Sequence, residues 1–245
     1  MRRALLAALC AAALAVPAAL AATRAQDRTP LTVYAAASLT DVLPKIDPAE
    51  RYSFGGSNAL ATQIVQGAPA DIFAAANTSI PGQLYRQGIV EKPVVFTRNA
   101  LVLIVPRSNP AQVRSVYDLR RPGVKLDVAA AGVPVGDYTR LVLHKLGLDD
   151  VLANVVSNET DVREVLAKVA LGEADAGFVY ATDARTVRGK VATVAIPSSA
   201  QPTVRYAAAV VRATAHRAAA RRFVARLLAR AAQRRLRAAG FLPRH

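Results

Sequence analysis

Phe54-Gly55-Gly56-Ser57-Asn58-Ala59-Leu60-Ala61-Thr62-Gln63-Ile64 decides the fold class of this chain. A β-rich run ends at Phe54. Two glycines let the backbone turn tightly and come close to whatever lies opposite. Leu60, Ile64 and Val65 then recur at helical spacing, so a helix is predicted over 58–66. The same passage from strand through a small-residue turn into a helix recurs at Ala35-Ala36-Ala37-Ser38-Leu39 and at Val133-Pro134-Val135-Gly136. Extended to the whole chain, the pattern predicts strands at 31–37, 51–54, 71–76, 95–105, 125–131, 153–157, 176–181, 191–196 and 203–211. It predicts helices at 39–46, 58–66, 79–87, 137–146, 161–171 and 214–237. Short strands alternating with helices make an α/β protein with mostly parallel strands.

Two predicted strands, 95–105 and 203–211, are longer than usual, and each is read as a crossover between two lobes. Pro106, Ser108, Asn109 and Pro110 mark the exit into a second lobe, and 197–202 marks the return. The expected division is a discontinuous first lobe, 29–105 plus 203–245, and a continuous second lobe, 106–202. About 220 mature residues suffice for two such lobes of roughly 100 residues each.

The first 25 residues read as a cleaved signal peptide. Arg2 and Arg3 precede an apolar run from Leu5 to Leu20, and Ala19-Leu20-Ala21 fits a small-x-small cleavage signal. Pro17 and the shortness of the run argue against a membrane anchor. The single cysteine, Cys10, lies in this segment behind Leu9, which does not suit a lipoprotein signal. The net charge is +15, and no acidic residue follows Asp183. The arginines of 214–237 read as the solvated face of an amphipathic helix, because no exposed aromatics interleave with them and the chain is exported. No nucleic-acid partner is expected.

Ser38 and Ser57 each stand where a strand meets a helix, and Ser38 reads as an N-cap. Gly55-Gly56-Ser57 begins the turn of a serine nucleophile, but Ala59 stands where that motif requires glycine. None of His144, His216 and His245 sits in a loop that announces a base, so an exported serine hydrolase using Ser57 is the weaker alternative. Pro134 lacks an N–H, which leaves Val135 and Gly136 to donate. Thr160 or Asp161 caps the helix that follows, with Glu164 placed as in a capping box. Arg163 is placed on its solvent face. Tyr180 ends a strand as a neutral donor. Four helix N-termini and three hydroxyls suit a small dehydrated oxyanion, whose lost water they replace.

Ala35-Ala36-Ala37-Ser38-Leu39-Thr40, the Phe54–Ile64 run, Gly67-Ala68-Pro69-Ala70-Asp71-Ile72-Phe73, Val133-Pro134-Val135-Gly136-Asp137-Tyr138, Asp161-Val162-Arg163 and Gly177-Phe178-Val179-Tyr180-Ala181-Thr182-Asp183-Ala184 together closely resemble the periplasmic molybdate-binding proteins of ABC importers. The resemblance covers nearly all of the mature chain, in the family's order. It implies a two-lobed type II periplasmic binding fold, with the lobes joined by two crossover strands and closing on one molybdate or tungstate. It implies that Ser38 and Ser57 bind through hydroxyl and N–H, Val135 and Val162 through N–H, and Tyr180 through its hydroxyl. Molybdenum would enter only as its oxyanion, with no catalytic residue and no cofactor. The implied partner is a membrane permease, and the implied setting is a periplasmic monomer; a binder of another small oxyanion or of an organic acid is the alternative within the same class. Val135 replaces the alanine many members carry. Pro44 and Pro48 interrupt a segment between the two serines that is shorter than usual.

Overall fold

The computed structural model describes residues 29–245, so the expected signal peptide and Cys10 lie outside the described residues. The elements run β1 (Thr32–Ala36), a 3-10 turn (Ala37–Leu39), α1 (Leu43–Ile46), β2 (Arg51–Gly55), α2 (Ser57–Val65), β3 (Ile72–Ala75), α3 (Ser79–Arg86), β4 (Val94–Asn99) and β5 (Leu101–Pro106). There follow a 3-10 turn (Val116–Arg120), β6 (Leu126–Ala129), α4 (Pro134–Lys145), a 3-10 turn (Asp149–Asn154), β7 (Val155–Glu159), α5 (Val162–Leu171), β8 (Ala176–Tyr180), α6 (Ala181–Thr186), β9 (Val191–Val194), β10 (Val204–Val210), α7 (Arg217–Leu228) and α8 (Arg230–Ala239).

The strands form two five-stranded sheets of like design. The first has the order β2-β1-β3-β10-β4 and the second β7-β6-β8-β5-β9. In each, three parallel strands adjoin a strand that runs against its neighbours, β10 in the first sheet and β5 in the second. Helices cover the sheets, and the alternation of strand side chains divides the first sheet's core. Ile72, Ala74 and Ala76 join the main core, whereas Phe73 and Ala75 join a separate cluster with Leu60, Ile64 and Leu84 of α2 and α3.

Several expected elements take a different form. The long strand 95–105 is two strands, one in each sheet, parted at Ala100. Asn99 Oδ1 accepts from the Ala100 N–H at 3.0 Å, and the Ala100 carbonyl accepts from Ala181 N–H at 2.9 Å. The strand expected at 203–211 lies wholly in the first sheet, so the chain returns from β9 through 195–203. The helix expected over 214–237 breaks at Ala229, whose backbone is extended. Gln233 Nε2 makes the break tolerable by donating to Leu227 O at 2.7 Å and Phe96 O at 2.9 Å. The sequence reading also missed α6, which follows β8 with no turn between them.

Asp127 of β6 is fully buried, and neither of its carboxylate oxygens has a hydrogen-bond partner. Lys168 Nζ instead binds Glu159 at 2.6 Å and Ser157 at 2.8 Å. Burial first, and then the charge of Glu159, push the Asp127 carboxyl up to about 7. The folded protein therefore keeps a proton that the unfolded chain, with an ordinary carboxyl, has lost. This group's contribution to stability is full below about pH 4 and is lost as pH rises through about 7. Asp127→Asn is expected to be more stable than the parent at pH 8 by about 1–3 kcal/mol, with the advantage gone near pH 4. Urea unfolding at the two pH values measures it. Equal stability at pH 8 would mean that burial does not raise the Asp127 carboxyl.

Candidate functional site

Three α-helix N-termini and one 3-10 turn meet at a cavity between the two sheets, where the sequence reading expects four helix N-termini. Ser38, Ser57, Val135, Val162 and Tyr180 all line this cavity, together with Gly56 and Asp161. Among the described residues, neither arginine, lysine nor histidine lines it.

Ser57 is the first residue of α2, and Gly56 holds the N-cap position. The Ser57 hydroxyl oxygen accepts from Ala76 N–H at 3.1 Å, so its proton is left to donate. Ser38 is not the N-cap the sequence predicts. It sits inside the 3-10 turn, and α1 starts only at Leu43, with Pro44 in its first turn. The Ser38 hydroxyl instead meets Tyr206 OH at 2.8 Å. Asn99 Nδ2 donates to that phenol at 3.4 Å and to Thr182 Oγ1 at 2.8 Å. Tyr206 escaped sequence reading because it is one aromatic in the small-residue strand β10, 168 positions from its partner.

Helix α4 begins at Pro134, three residues earlier than expected, so Val135 and Gly136 are its second and third residues. Their N–H groups lie outside the intrahelical ladder. A Cβ on Gly136 would stand 2.3 Å from Ala130 O and 2.4 Å from Ala129 O, so only glycine lets the helix start against the end of β6. Val162 opens α5. Asp161 is the cap, accepting from Arg163 N–H at 2.6 Å and Glu164 N–H at 3.3 Å, which leaves the Val162 N–H uncapped. Glu164 reaches back to Thr160 N–H at 2.7 Å and its hydroxyl at 2.8 Å, one residue before the cap.

Tyr180 is 1% exposed, and its hydroxyl has no hydrogen-bond partner. Its ring lies edge-on to Tyr206 at 5.7 Å. Burial raises its phenol well above the ordinary range, so it stays a neutral donor. A buried hydroxyl without a partner is costly unless a guest accepts its hydrogen bond.

Arg163 does not stand on the solvent face expected of it. Its Nε donates to Asp183 at 2.8 Å, and its Nη2 to Asp41 at 2.5 Å. Asp41 follows Ser38 by three residues, so one guanidinium ties the Ser38 segment to the Val162 segment across the cavity. Asp183 is wholly buried, and burial pushes its carboxyl up to about 6 against the pull of Arg163. Gly56 makes a second close approach, because a Cβ there would lie 2.3 Å from Thr160 O.

The cavity volume is about 10 Å³, counted as room for the centre of a water-sized sphere. That is room for about one water and far too little for an extended organic acid, so a tetrahedral anion enters only as the walls move apart. The donors around it are neutral N–H and O–H groups at helix starts, an arrangement that holds anions. Among the described residues no histidine lines this cavity, and His144 and His216 contact Asp149 and Asp71. Among the described residues, no cluster of His, Cys, Asp or Glu could hold a metal ion, and no helix is long and apolar enough to cross a membrane.

The family model of bacterial extracellular solute-binding proteins matches residues 31–242. The molybdate-binding protein of Mycobacterium tuberculosis (strain H37Rv) is 38% identical over 221 residues, which cover 86% of this chain and 84% of that protein. In structure, the periplasmic molybdate-binding protein of Azotobacter vinelandii matches with a TM-score of 0.77 at 24% identity, over 86% of this chain and 98% of that one. The sulfate-binding protein SubI of M. tuberculosis matches with a TM-score of 0.76 at 21% identity, over 88% of this chain and 87% of that one. The two structures share the fold and are named for different anions, so the fold alone does not choose between them.

Proposed function

This chain belongs to the bacterial extracellular solute-binding proteins, and we propose that within that family it captures molybdate or tungstate and delivers the anion to an ABC permease. The observation that carries this reading is the convergence of Ser38, Ser57, Val135, Val162 and Tyr180 on one small cavity, with the Tyr180 hydroxyl buried and unpartnered. The two serines offer hydroxyl and N–H, the two valines N–H, and the tyrosine its O–H. A doubly charged tetrahedral anion exchanges its water for these fixed donors, and the helix starts add favourable partial charge. Arg163 and Gly56 bring the two halves together around the anion. The two sheets serve as the cores of two lobes, which part at Ala100 and again in 195–203 rather than at 105 and 203.

The reading places the mature protein in the periplasm as a monomer, after loss of the signal peptide. It assigns capture without chemistry, since among the described residues no histidine lines the cavity with Ser57. The identity of 38% to a molybdate-binding relative favours molybdate over sulfate. Sulfate has the same charge and a smaller radius, so discrimination comes from cavity size.

Titration calorimetry with molybdate, tungstate, sulfate and phosphate tests the assignment. Molybdate and tungstate are expected to bind far more tightly than the other two, and sulfate binding of equal strength would overturn the choice of anion. Ser38→Ala and Ser57→Ala are each expected to weaken molybdate binding by about 1–3 kcal/mol, the cost of a hydrogen bond to a charged partner. Unchanged affinity in both would remove them from the site.

A further inference from the structure

A second, larger cavity of about 380 Å³ adjoins the site, and Ser38 lines both. Lys45 and Asp41 reach it from the first sheet's side of the molecule, and Arg163, Arg185 and Arg188 from the second. Asp41 and Asp183 occupy Arg163. Lys45, Arg185 and Arg188 have no carboxylate partner among the described residues. Gly240 ends α8 with φ +101°, and a Cβ on it would stand 2.4 Å from Arg185 Nη1. The positive φ favours glycine as the end of the helix, beside this guanidinium at the wall of the chamber.

We propose that this chamber is a vestibule, a weak anion subsite that gathers hydrated oxyanions and feeds them to the inner cavity. The inference rests on the function proposed above. The two cavities differ in size and in chemistry, as two stages of capture require. The outer chamber is wide enough for an anion that keeps its water, and its charges are exposed. The inner cavity is small, uncharged in its donors, and demands dehydration. Like charges lining one cleft focus the field there and raise the local concentration of anions, which speeds arrival without strengthening the final complex.

The test is stopped-flow tyrosine fluorescence of the mature chain with sodium molybdate, across a range of salt concentrations. A triple variant, Lys45→Gln with Arg185→Gln and Arg188→Gln, is compared with a control that removes the same charge elsewhere, Lys92→Gln with Arg107→Gln and Arg114→Gln. All six side chains are exposed, and the control residues do not line the chamber. The vestibule variant is expected to lose about tenfold in association rate at low salt, within the range that charge focusing provides. Its salt dependence should flatten and its dissociation rate stay as in the parent. The control should keep the parent's association rate within about twofold, since its residues do not line the chamber where the field is focused. Equal behaviour of the two variants, or a change confined to dissociation, overturns the vestibule. A parent protein that takes up no molybdate in calorimetry overturns the function beneath it, which is a separate result.

Discussion

Gly56→Ala is expected to lower anion affinity by about a hundredfold, while the unfolding temperature of the anion-free protein moves little. The added Cβ would stand 2.3 Å from Thr160 O and 2.8 Å from Asn58 Oδ1. Thr160 belongs to the far side of the cavity, between β7 and α5, and Glu164 holds both its N–H and its hydroxyl. Its carbonyl therefore has little freedom to retreat. Overfilling a packed contact costs about 1–3 kcal/mol, and a backbone oxygen this close puts the cost at the upper end. About 3 kcal/mol is roughly two powers of ten in Kd. The clash lies between loops of the two halves, so separating them relieves it, and the sheets themselves are untouched. Calorimetry with molybdate and thermal unfolding without it make the two measurements. Affinity equal to the parent's would show that the Gly56 and Thr160 loops need not touch when the anion is held.

The second large effect is at Arg163. Arg163→Ala is expected to destabilise the protein by about 3–5 kcal/mol, the usual cost of stranding one member of a buried ion pair. Asp183 is wholly buried, and its Oδ2 has no hydrogen-bond partner even in the parent. Without the guanidinium its carboxyl, already near 6, would rise further. Arg163→Ala combined with Asp183→Asn separates the two roles of this arginine. Urea unfolding should show most of the stability regained, because no buried charge is left alone. Molybdate affinity should stay below the parent's, because the tie to Asp41 across the cavity is still missing. If the double variant binds as tightly as the parent, Arg163 serves folding alone and does nothing to hold the two halves together.

Much of the architecture is legible in short stretches of sequence, for a physical reason that can be seen at each. The turn at Gly55-Gly56-Ser57 and the cap at Asp161 are local: the residues that make the hydrogen bonds lie within four positions of one another, so spacing reveals them. The unbroken apolar run Ile72–Ala75 reflects a strand buried on both faces, which is also a local pattern. The breaks at Ala100 and Ala229 carry no proline or glycine. Each depends on a partner elsewhere, Ala181 in the first case and Gln233 with Phe96 in the second. Ser38 shows the divide within one residue. Its place at the end of β1 is plain from the pattern, but whether its hydroxyl caps a helix or turns elsewhere is not, because Tyr206 lies far along the chain.

Strand-to-helix turns, and with them the choice of backbone N–H groups that could face a guest, follow from the order of residues, since each turn closes over a few neighbouring bonds. Which of those turns face one another, how closely Gly56 approaches Thr160, and that Arg163 spans to Asp41 all depend on contacts between distant segments. Such contacts form only when the two sheets have buried their cores and set the distance across the cavity, and no local pattern encodes that distance.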